Sequence, residues 1–214
     1  MALNGSHYII MSASAGTGKD TVAKHIFHEW LAPIEKVITT TTRAPRKNNG
    51  IMEEDGVDYD FLSVDEFKAR LEQWAFIEHA EYNGRFYGTP WHRVEQIIAK
   101  WKIPLSIVEV QGAANIMKSV RDRIEVLSIF LTLEPKELEA RLRGRWGMTE
   151  ADIQWRLAEA EKERKFIGQY DLRIENTDSR ETAKIIAQIT SDMIIWRTRE
   201  EICKIYNVFG EVLN

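Results

Sequence analysis

The run Ala13-Ser14-Ala15-Gly16-Thr17-Gly18-Lys19-Asp20-Thr21 constrains this chain more than any other feature. It stands between the apolar stretch Tyr8–Met11 and the pattern Val22, Ala23, Ile26, Phe27. The first reads as a buried strand and the second as a helix, from their apolar spacing. A glycine-bearing loop between them lets backbone N–H groups curl round a phosphate chain. The helix dipole and the Lys19 ammonium then favour the same anion. This is a P-loop in its expected setting, and it assigns Ala15, Gly16, Thr17, Gly18, Lys19, Asp20 and Thr21 to the phosphate chain of a nucleotide. Two positions depart from the usual Gly-x-x-x-x-Gly-Lys-Ser/Thr pattern. Ala13 replaces the first glycine, and Asp20 stands where a hydroxyl normally meets Mg²⁺. A carboxylate there would hold the ion directly or through water, and Thr21 would supply a hydroxyl only by a local shift.

The rest of the pattern extends this strand–loop–helix unit. Leu105–Val110 and Val126–Leu131 read as further short strands, alternating with segments of helical period, so the expected fold is α/β with a parallel sheet and helices on both faces. Ser63-Val64-Asp65-Glu66 reads as a capping box, Pro135 suits a first helical turn, and Asp178 with Glu181 opens the apolar run Ile185, Ile186, Ile189, Met193. The stretch from Thr42 to Asp60 lacks apolar periodicity and is long for a connection, which marks it as functional or disordered. Arg141 to Gly147 reads as a second irregular, arginine-dense stretch, and Trp196 to Asn214 as a terminal helix.

At 214 residues and 44% hydrophobic composition, the chain suits one domain with inserted mobile pieces. A net charge of −4 argues against a general binder of nucleic acid or anionic membranes, so any polyanion must be met by a local basic cluster. The single cysteine, Cys203, and the lack of a signal-like N-terminus or an apolar run of bilayer length give a cytoplasmic expectation. The five histidines form no metal-ligand spacing with Cys203.

Six further motifs follow the P-loop in order: Ile38-Thr39-Thr40-Thr41-Thr42-Arg43-Ala44-Pro45-Arg46, Gly56-Val57-Asp58-Tyr59-Asp60-Phe61, Phe76-Ile77-Glu78-His79-Ala80-Glu81, Tyr87-Gly88-Thr89, Val110-Gln111-Gly112-Ala113 and Arg141-Leu142-Arg143-Gly144-Arg145. In this order and spacing the chain, from about Tyr8 to Asn176, resembles the guanylate kinase family. The resemblance implies a three-layer P-loop fold with core pieces 1–38, 92–140 and 158–195. It also implies an inserted GMP-binding segment at about 39–91, a short lid at about 141–157 and a tail at 196–214.

By the same resemblance Arg43, Arg46, Tyr59 and Tyr87 hold the GMP phosphate. Two guanidinium groups and two phenols are chemically suited to a dianion. Glu78, Thr39 and Thr89 fall on guanine-reading positions. A carboxylate accepts both the N1–H and N2–H₂ donors of guanine, whereas adenine offers it a lone pair, a mismatch worth discrimination of order 10⁴. The family's acidic residue in the arginine-rich loop aligns with Glu53 from downstream and with Asn49 from upstream, because the loop is about four residues longer here. Glu53 is preferred, since it keeps the spacing to Gly56 and Tyr59.

The strand before Gln111 usually carries two acids. Here Ile107 replaces the first, the Mg²⁺-supporting one, and Glu109 keeps the second. Glu109 is assigned to the guanine amino group or the metal shell, and Asp20 to the displaced metal carboxylate. Arg141 and Arg145 fall in the lid pattern, and Arg156 on the helix that follows. With Lys19 they form the catalytic set, while Asn176 matches a position near the adenine ring. The expected partners are ATP with Mg²⁺ and GMP or dGMP, in a monomer or homodimer. Two other readings stay open: a kinase for another nucleoside monophosphate, and a non-catalytic module that binds proteins.

Overall fold

Strand alternation sets the layers of the molecule. The computed structural model describes residues 6–29, 32–48, 50–194 and 198–206. Its first strand, β1 (His7–Ala13), sends Ile9, Met11 and Ala13 to one face and Tyr8 and Ile10 to the other. The chain continues through α1 (Lys19–Glu29) and β2 (Ile34–Lys36). It then leaves the main sheet for β3 (Thr40–Thr41), β4 (Lys47–Asn48), β5 (Ile51–Met52), β6 (Asp60–Phe61), α2 (Val64–Glu72), β7 (Phe76–Tyr82) and β8 (Arg85–Pro90). It returns with α3 (Trp91–Ala99), β9 (Ile103–Ile107), α4 (Val110–Val120), β10 (Glu125–Thr132) and α5 (Pro135–Arg143). Last come α6 (Glu150–Arg164), β11 (Leu172–Glu175), α7 (Ser179–Ile194) and α8 (Arg199–Tyr206).

The main sheet has the order β11-β10-β1-β9-β2, and all its pairings are parallel. On one face Val22, Ile26, Ile186, Ile189 and Ile202 from α1, α7 and α8 cover Ile9, Met11, Leu105, Leu127 and Ile129. On the other, Val94, Ile97, Ala113, Ile116 and Val120 from α3 and α4 cover Tyr8, Ile10 and Val126. Crossover helices on both faces explain why the central strands read as continuous apolar runs. The three-layer α/β expectation therefore holds.

The excursion between β2 and α3 forms its own sheet, β6-β3-β8-β7, in which β8 runs antiparallel to both neighbours. Gly88 lies at its tightest point, where a Cβ would come within 2.9 Å of the Phe76 ring and 3.2 Å of the Glu78 carbonyl oxygen. Phe67 of α2 stacks on Phe76 and Phe86 at ring-centroid distances of 4.5 and 5.4 Å, which anchors α2 to this sheet.

Local signals set the helix ends. Ser63 and Glu66 form the capping box, Pro135 occupies the first turn of α5, and Asp178 Oδ1 accepts from the Arg180 and Glu181 N–H groups. Three expectations need correction. The strand read as Leu105–Val110 stops at Ile107. Glu109 is the extended N-cap of α4, and Val110 is apolar because the first turn of that helix is buried. Arg141 and Arg143 are not in an irregular stretch but in the last turn of α5, where Glu137 and Glu139 pair with them one turn earlier. Of the expected terminal helix, α8 covers Arg199–Tyr206, while residues 196–197 and 207–214 lie outside the described residues.

Candidate active site

The loop between β1 and α1 is built by positive backbone angles that only glycine adopts freely. Gly16 and Gly18 have φ of 100° and 98°. A Cβ on Gly16 would lie 2.8 Å from the Leu142 side chain, and one on Gly18 would lie 2.9 Å from Asn176 Nδ2. Thr17 N–H turns back to the Ser14 carbonyl at 3.1 Å. The N–H groups of Gly16, Gly18, Lys19 and Asp20 have no backbone acceptor among the described residues. They stand at the α1 N-terminus, the arrangement that favours an anion. Lys19 Nζ is 3.6 Å from Glu109 Oε1, and its side chain is 18% exposed. Ala15 is half-buried, whereas Asp20 and Thr21 are exposed in the first turn of α1.

Asn176, assigned to ATP by resemblance, and Arg141, assigned to the lid, both bond to the loop itself. Asn176 is fully buried; Nδ2 donates to the Thr17 carbonyl at 2.7 Å, and Oδ1 has no partner among the described residues. Arg141 is not a free lid cation. Nη1 donates to the same carbonyl at 3.2 Å, and Nη2 to the Asn176 and Thr177 carbonyls at 3.0 and 2.9 Å and to Glu137 at 2.6 Å. These bonds cross from the end of α5 to the loop after β11 and fix the shape of the cradle from behind.

In the second sheet two of the guanine-reading candidates, Glu78 and Thr89, meet through register. Glu78 on β7 pairs with Thr89 on β8, whose hydroxyl donates to Glu78 Oε1 at 2.7 Å. Thr39 lies one residue before Thr40, which pairs with Gly88. Burial pushes the Glu78 carboxyl above the usual carboxylate range, against the opposing pull of the Thr89 hydroxyl. Tyr87, two residues before Thr89, shares that face of β8.

The phosphate candidates gather around one ion pair. Arg43 Nη1 and Nη2 donate to the two oxygens of Glu53 at 2.5 and 2.9 Å, and Nη1 also donates to the Ala44 carbonyl at 2.8 Å. Glu53 Oε2 accepts the Arg46 N–H at 2.7 Å. The Arg43 guanidinium lies 5.0 Å from the Tyr59 ring centre, and Tyr59 in turn feels the Tyr87 phenol. Among the described residues, Glu53 and Ala44 take three of the five guanidinium donors, and the Tyr59 phenol also faces the guanidinium. Arg46 has an exposed side chain beside this pair. The geometry gives Glu53 the organising place in the long loop, and Asn49 lies outside the described residues. The longer loop is a hairpin, β4 paired with β5, that projects exposed Ile51 and Met52.

The lid candidates differ in setting. Arg145 is exposed in the turn between α5 and α6. Arg156 lies on α6, and its buried Nε has no partner among the described residues. α6 and α5 share a small apolar cluster of Leu133, Leu138, Leu142, Ile153 and Ala160, separate from the two large ones. Trp146 and Trp155 are 101% and 57% exposed here.

A residue the sequence reading passed over also belongs to this site. Glu163, two turns after Arg156 on α6, lies near Ser14, Lys19 and Glu109, and burial pushes its carboxyl above the usual carboxylate range. Its only sequence signal was the seven-residue spacing from Arg156, which places both on one helix face. Asp20 is exposed in the first turn of α1 and Glu109 pairs with Lys19; among the described residues no group of three or more His, Cys, Asp or Glu side chains is gathered to hold a metal ion. Ile107 pairs with Met11 and packs on the α1 face, so the strand end itself offers the ion nothing.

A parallel sheet with a phosphate loop and an arginine-bearing helix pair defines a P-loop nucleotide-binding protein. The comparisons narrow this. The guanylate kinase family model matches residues 5–193. The chain is 36% identical over 192 residues to a guanylate kinase of Prochlorococcus marinus, covering 87% of this chain and 97% of that one. It is 33% identical over 189 residues to that of Malacoplasma penetrans, covering 87% and 93%. The crystal structure of guanylate kinase from Anaplasma phagocytophilum superposes with a TM-score of 0.68 at 31% identity, covering 91% of this chain and 88% of that one. The chain belongs to the guanylate kinase family.

Proposed function

We propose that the protein transfers the γ-phosphate of ATP to GMP or dGMP, giving ADP and the corresponding diphosphate. The observation that carries the reading is the Glu78–Thr89 pair, a half-buried carboxylate already oriented by a hydroxyl. It shares a sheet with the Arg43–Tyr59–Tyr87 cluster, so base and phosphate of one nucleotide have separate partners. The α4 helix packs on β7 and begins at Glu109 beside Lys19, which links the two halves.

In this reading the free N–H groups of the loop and Lys19 hold the β- and γ-phosphates. Arg43, Arg46, Tyr59 and Tyr87 turn the GMP phosphate toward them. A phosphate oxygen of GMP is already ionised at neutral pH, so no general base is required. The chain supplies in-line placement and charge neutralisation, with Arg145 and the unpaired Arg156 Nε closing over the transferred group. Closure excludes water and so strengthens each of these contacts. Magnesium enters with ATP; Asp20 and Glu109 would hold it, and it supplies neutralisation of phosphate charge. The reading places the protein in the cytoplasm, where both nucleotides are found.

The test is a coupled assay of ADP release with GMP, dGMP, AMP, UMP, CMP and TMP, with and without Mg²⁺. Turnover should be confined to the guanine nucleotides and should require the metal. Lys19→Ala should keep its fold while losing turnover by a factor of about 10² or more. Near-normal turnover in that variant, or none in the wild type, removes the assignment.

A further inference from the structure

The turn that carries Tyr59 is held from a helix outside the acceptor sheet. The turn first closes on itself. Gly56 N–H donates to the Tyr59 carbonyl, Glu54 N–H to Asp58 Oδ2 and Phe61 N–H to Asp55 Oδ1, each at 2.8 Å. A segment bonded in this way moves as one piece. Its last residue, Asp60, opens β6 and is only 9% exposed.

Both oxygens of the Asp60 carboxylate face α3. Arg93 Nε donates to Oδ2 at 3.0 Å and Arg93 Nη2 to Oδ1, which makes a bidentate fork. Arg93 Nη2 also lies over the turn, 3.7 Å from where a Cβ on Gly56 would stand. The helix that carries Arg93 is anchored elsewhere, because Val94 and Ile97 share one apolar cluster with Tyr8, Ile10 and Val126 of the main sheet. The fork therefore crosses from the main-sheet layer to the acceptor sheet. A weaker contact crosses the same way, from Lys36 Nζ on β2 to the Asp58 carbonyl at 3.5 Å.

Alternation along the chain gives the crossing its consequence. The Arg43 guanidinium lies 5.0 Å from the Tyr59 ring centre and 5.7 Å from that of Phe61, so these two rings share one face. Asp60, between them, points to the opposite face, where Arg93 meets it. Glu53 holds Arg43 from the hairpin side, and Arg93 holds the Tyr59 turn from the main-sheet side. We propose that Arg93, through Asp60, is a positioning residue for the acceptor phosphate, setting the Tyr59 turn against the main-sheet body so that Tyr59 and Arg43 face the acceptor in one orientation. A lysine cannot replace it, since a point ammonium does not hold both carboxylate oxygens in a plane. The inference rests on the reading that this cluster binds the GMP phosphate, and deepens it.

The experiment is steady-state kinetics with GMP and ATP varied in turn, alongside thermal melts. It uses the full chain as wild type, Arg93→Met, Arg93→Lys, Tyr59→Phe, the double variant Tyr59→Phe/Arg93→Met, and Lys100→Met. Lys100 caps the far end of α3 and pairs with Glu35, so its replacement removes one charge and one ion pair without touching the turn. Arg93→Met should raise KM for GMP about five- to fiftyfold, the coupling range of residues in one salt-bridged network, and leave KM for ATP unchanged. Arg93→Lys should raise KM for GMP about twofold or more, and Lys100→Met should not raise it. In the Tyr59→Phe background, Arg93→Met should add less than it does alone, because its effect passes through the turn.

An unchanged KM for GMP in folded Arg93→Met overturns the proposal. So does an equal rise in both KM values, or an equal rise in Lys100→Met, since either would report general loosening. Full additivity with Tyr59→Phe overturns it as well, because Arg93 would then act on the nucleotide independently of Tyr59. Should Arg93→Met fail to fold, Arg93→Lys decides alone, and an unchanged KM for GMP there overturns the proposal. Failure of the wild type to turn over GMP refutes the kinase reading itself, an outcome distinct from turnover with an unchanged KM.

Discussion

Replacing Glu78 by glutamine isolates the chemistry of base selection. In the ionised carboxylate, Oε1 accepts from Thr89 at 2.7 Å, and lone pairs remain on both oxygens for the adjacent N1–H and N2–H₂ donors of guanine. Glutamine preserves shape but offers one acceptor and one donor, so one guanine N–H meets another N–H. Loss of a charge-assisted hydrogen bond costs about 1.5–3 kcal/mol, and the donor left unpaired adds about 1–3 kcal/mol. The sum, about 2.5–6 kcal/mol, lowers kcat/KM for GMP by roughly 10²- to 10⁴-fold. AMP should gain relative to GMP, because the new amide donates to adenine N1. Unfolding cannot mimic this result. Burial raises the Glu78 carboxyl, so the native state holds its proton more tightly than the unfolded chain, and stability falls as pH rises from the ordinary Glu range through the folded value. A neutral replacement removes that penalty, and the variant should melt at or above the wild-type temperature at neutral pH. Steady-state kinetics on both nucleotides with thermal melts make the check. A GMP kcat/KM within threefold of wild type would refute the assignment of Glu78 to guanine.

Two other perturbations test the supports of the site. Asn176→Leu removes the Nδ2 bond to the Thr17 carbonyl but leaves that carbonyl its Arg141 donor. It should cost about 1–2 kcal/mol of stability and raise KM for ATP with KM for GMP unchanged. The preference for ATP over GTP should not move, and a changed preference would return Asn176 to the adenine ring. Glu53→Gln breaks the fork to Arg43, in which both side chains are under 10% exposed but lie beneath a thin layer of protein, so the stability loss should be about 1–2 kcal/mol. Here the sign is opposite to that of Glu78. Arg43 holds the folded Glu53 value below the ordinary range, so its contribution is full above that range and disappears as pH falls through the folded value. Melting temperatures of wild type and variant should therefore converge on acidification, and a gap that widens would contradict the pairing.

What was legible in the sequence divides along a physical line. Strand–loop–helix order, the capping box at Ser63 and the Pro135 start are local rules, and each appears where the residues required it. The ends of elements were less legible where tertiary contacts decide them. Val110 reads as strand because it is apolar, but it is apolar to bury the first turn of α4. Arg141 reads as a lid cation because arginines cluster there, yet besides Glu137 on its own helix its partners are backbone carbonyls at positions 17, 176 and 177, far away in sequence. Glu163 was invisible for the same reason: an isolated glutamate on an amphipathic helix has no pattern, and only folding brings it to Ser14 and Lys19.

These long-range ties suggest how the two substrate halves differ in rigidity. The ATP cradle is braced by fully buried Asn176 and by Arg141, both fixed to the Thr17 carbonyl. The acceptor cluster rests on a loop whose strands are only two residues long, held mainly by Glu53. The α5–α6 pair, the lid of the proposed reading, packs through its own small apolar cluster. A braced donor site between two lightly held segments is the arrangement expected if closure, rather than assembly of the phosphate loop, completes the site. Trp146, fully exposed in the turn that carries Arg145, gives this a direct readout. Its emission should shift to the blue when ATP analogue, Mg²⁺ and GMP are all present, and by less with either nucleotide alone. A full shift with ATP analogue alone would mean that the lid closes without the acceptor, and the argument from rigidity would fail.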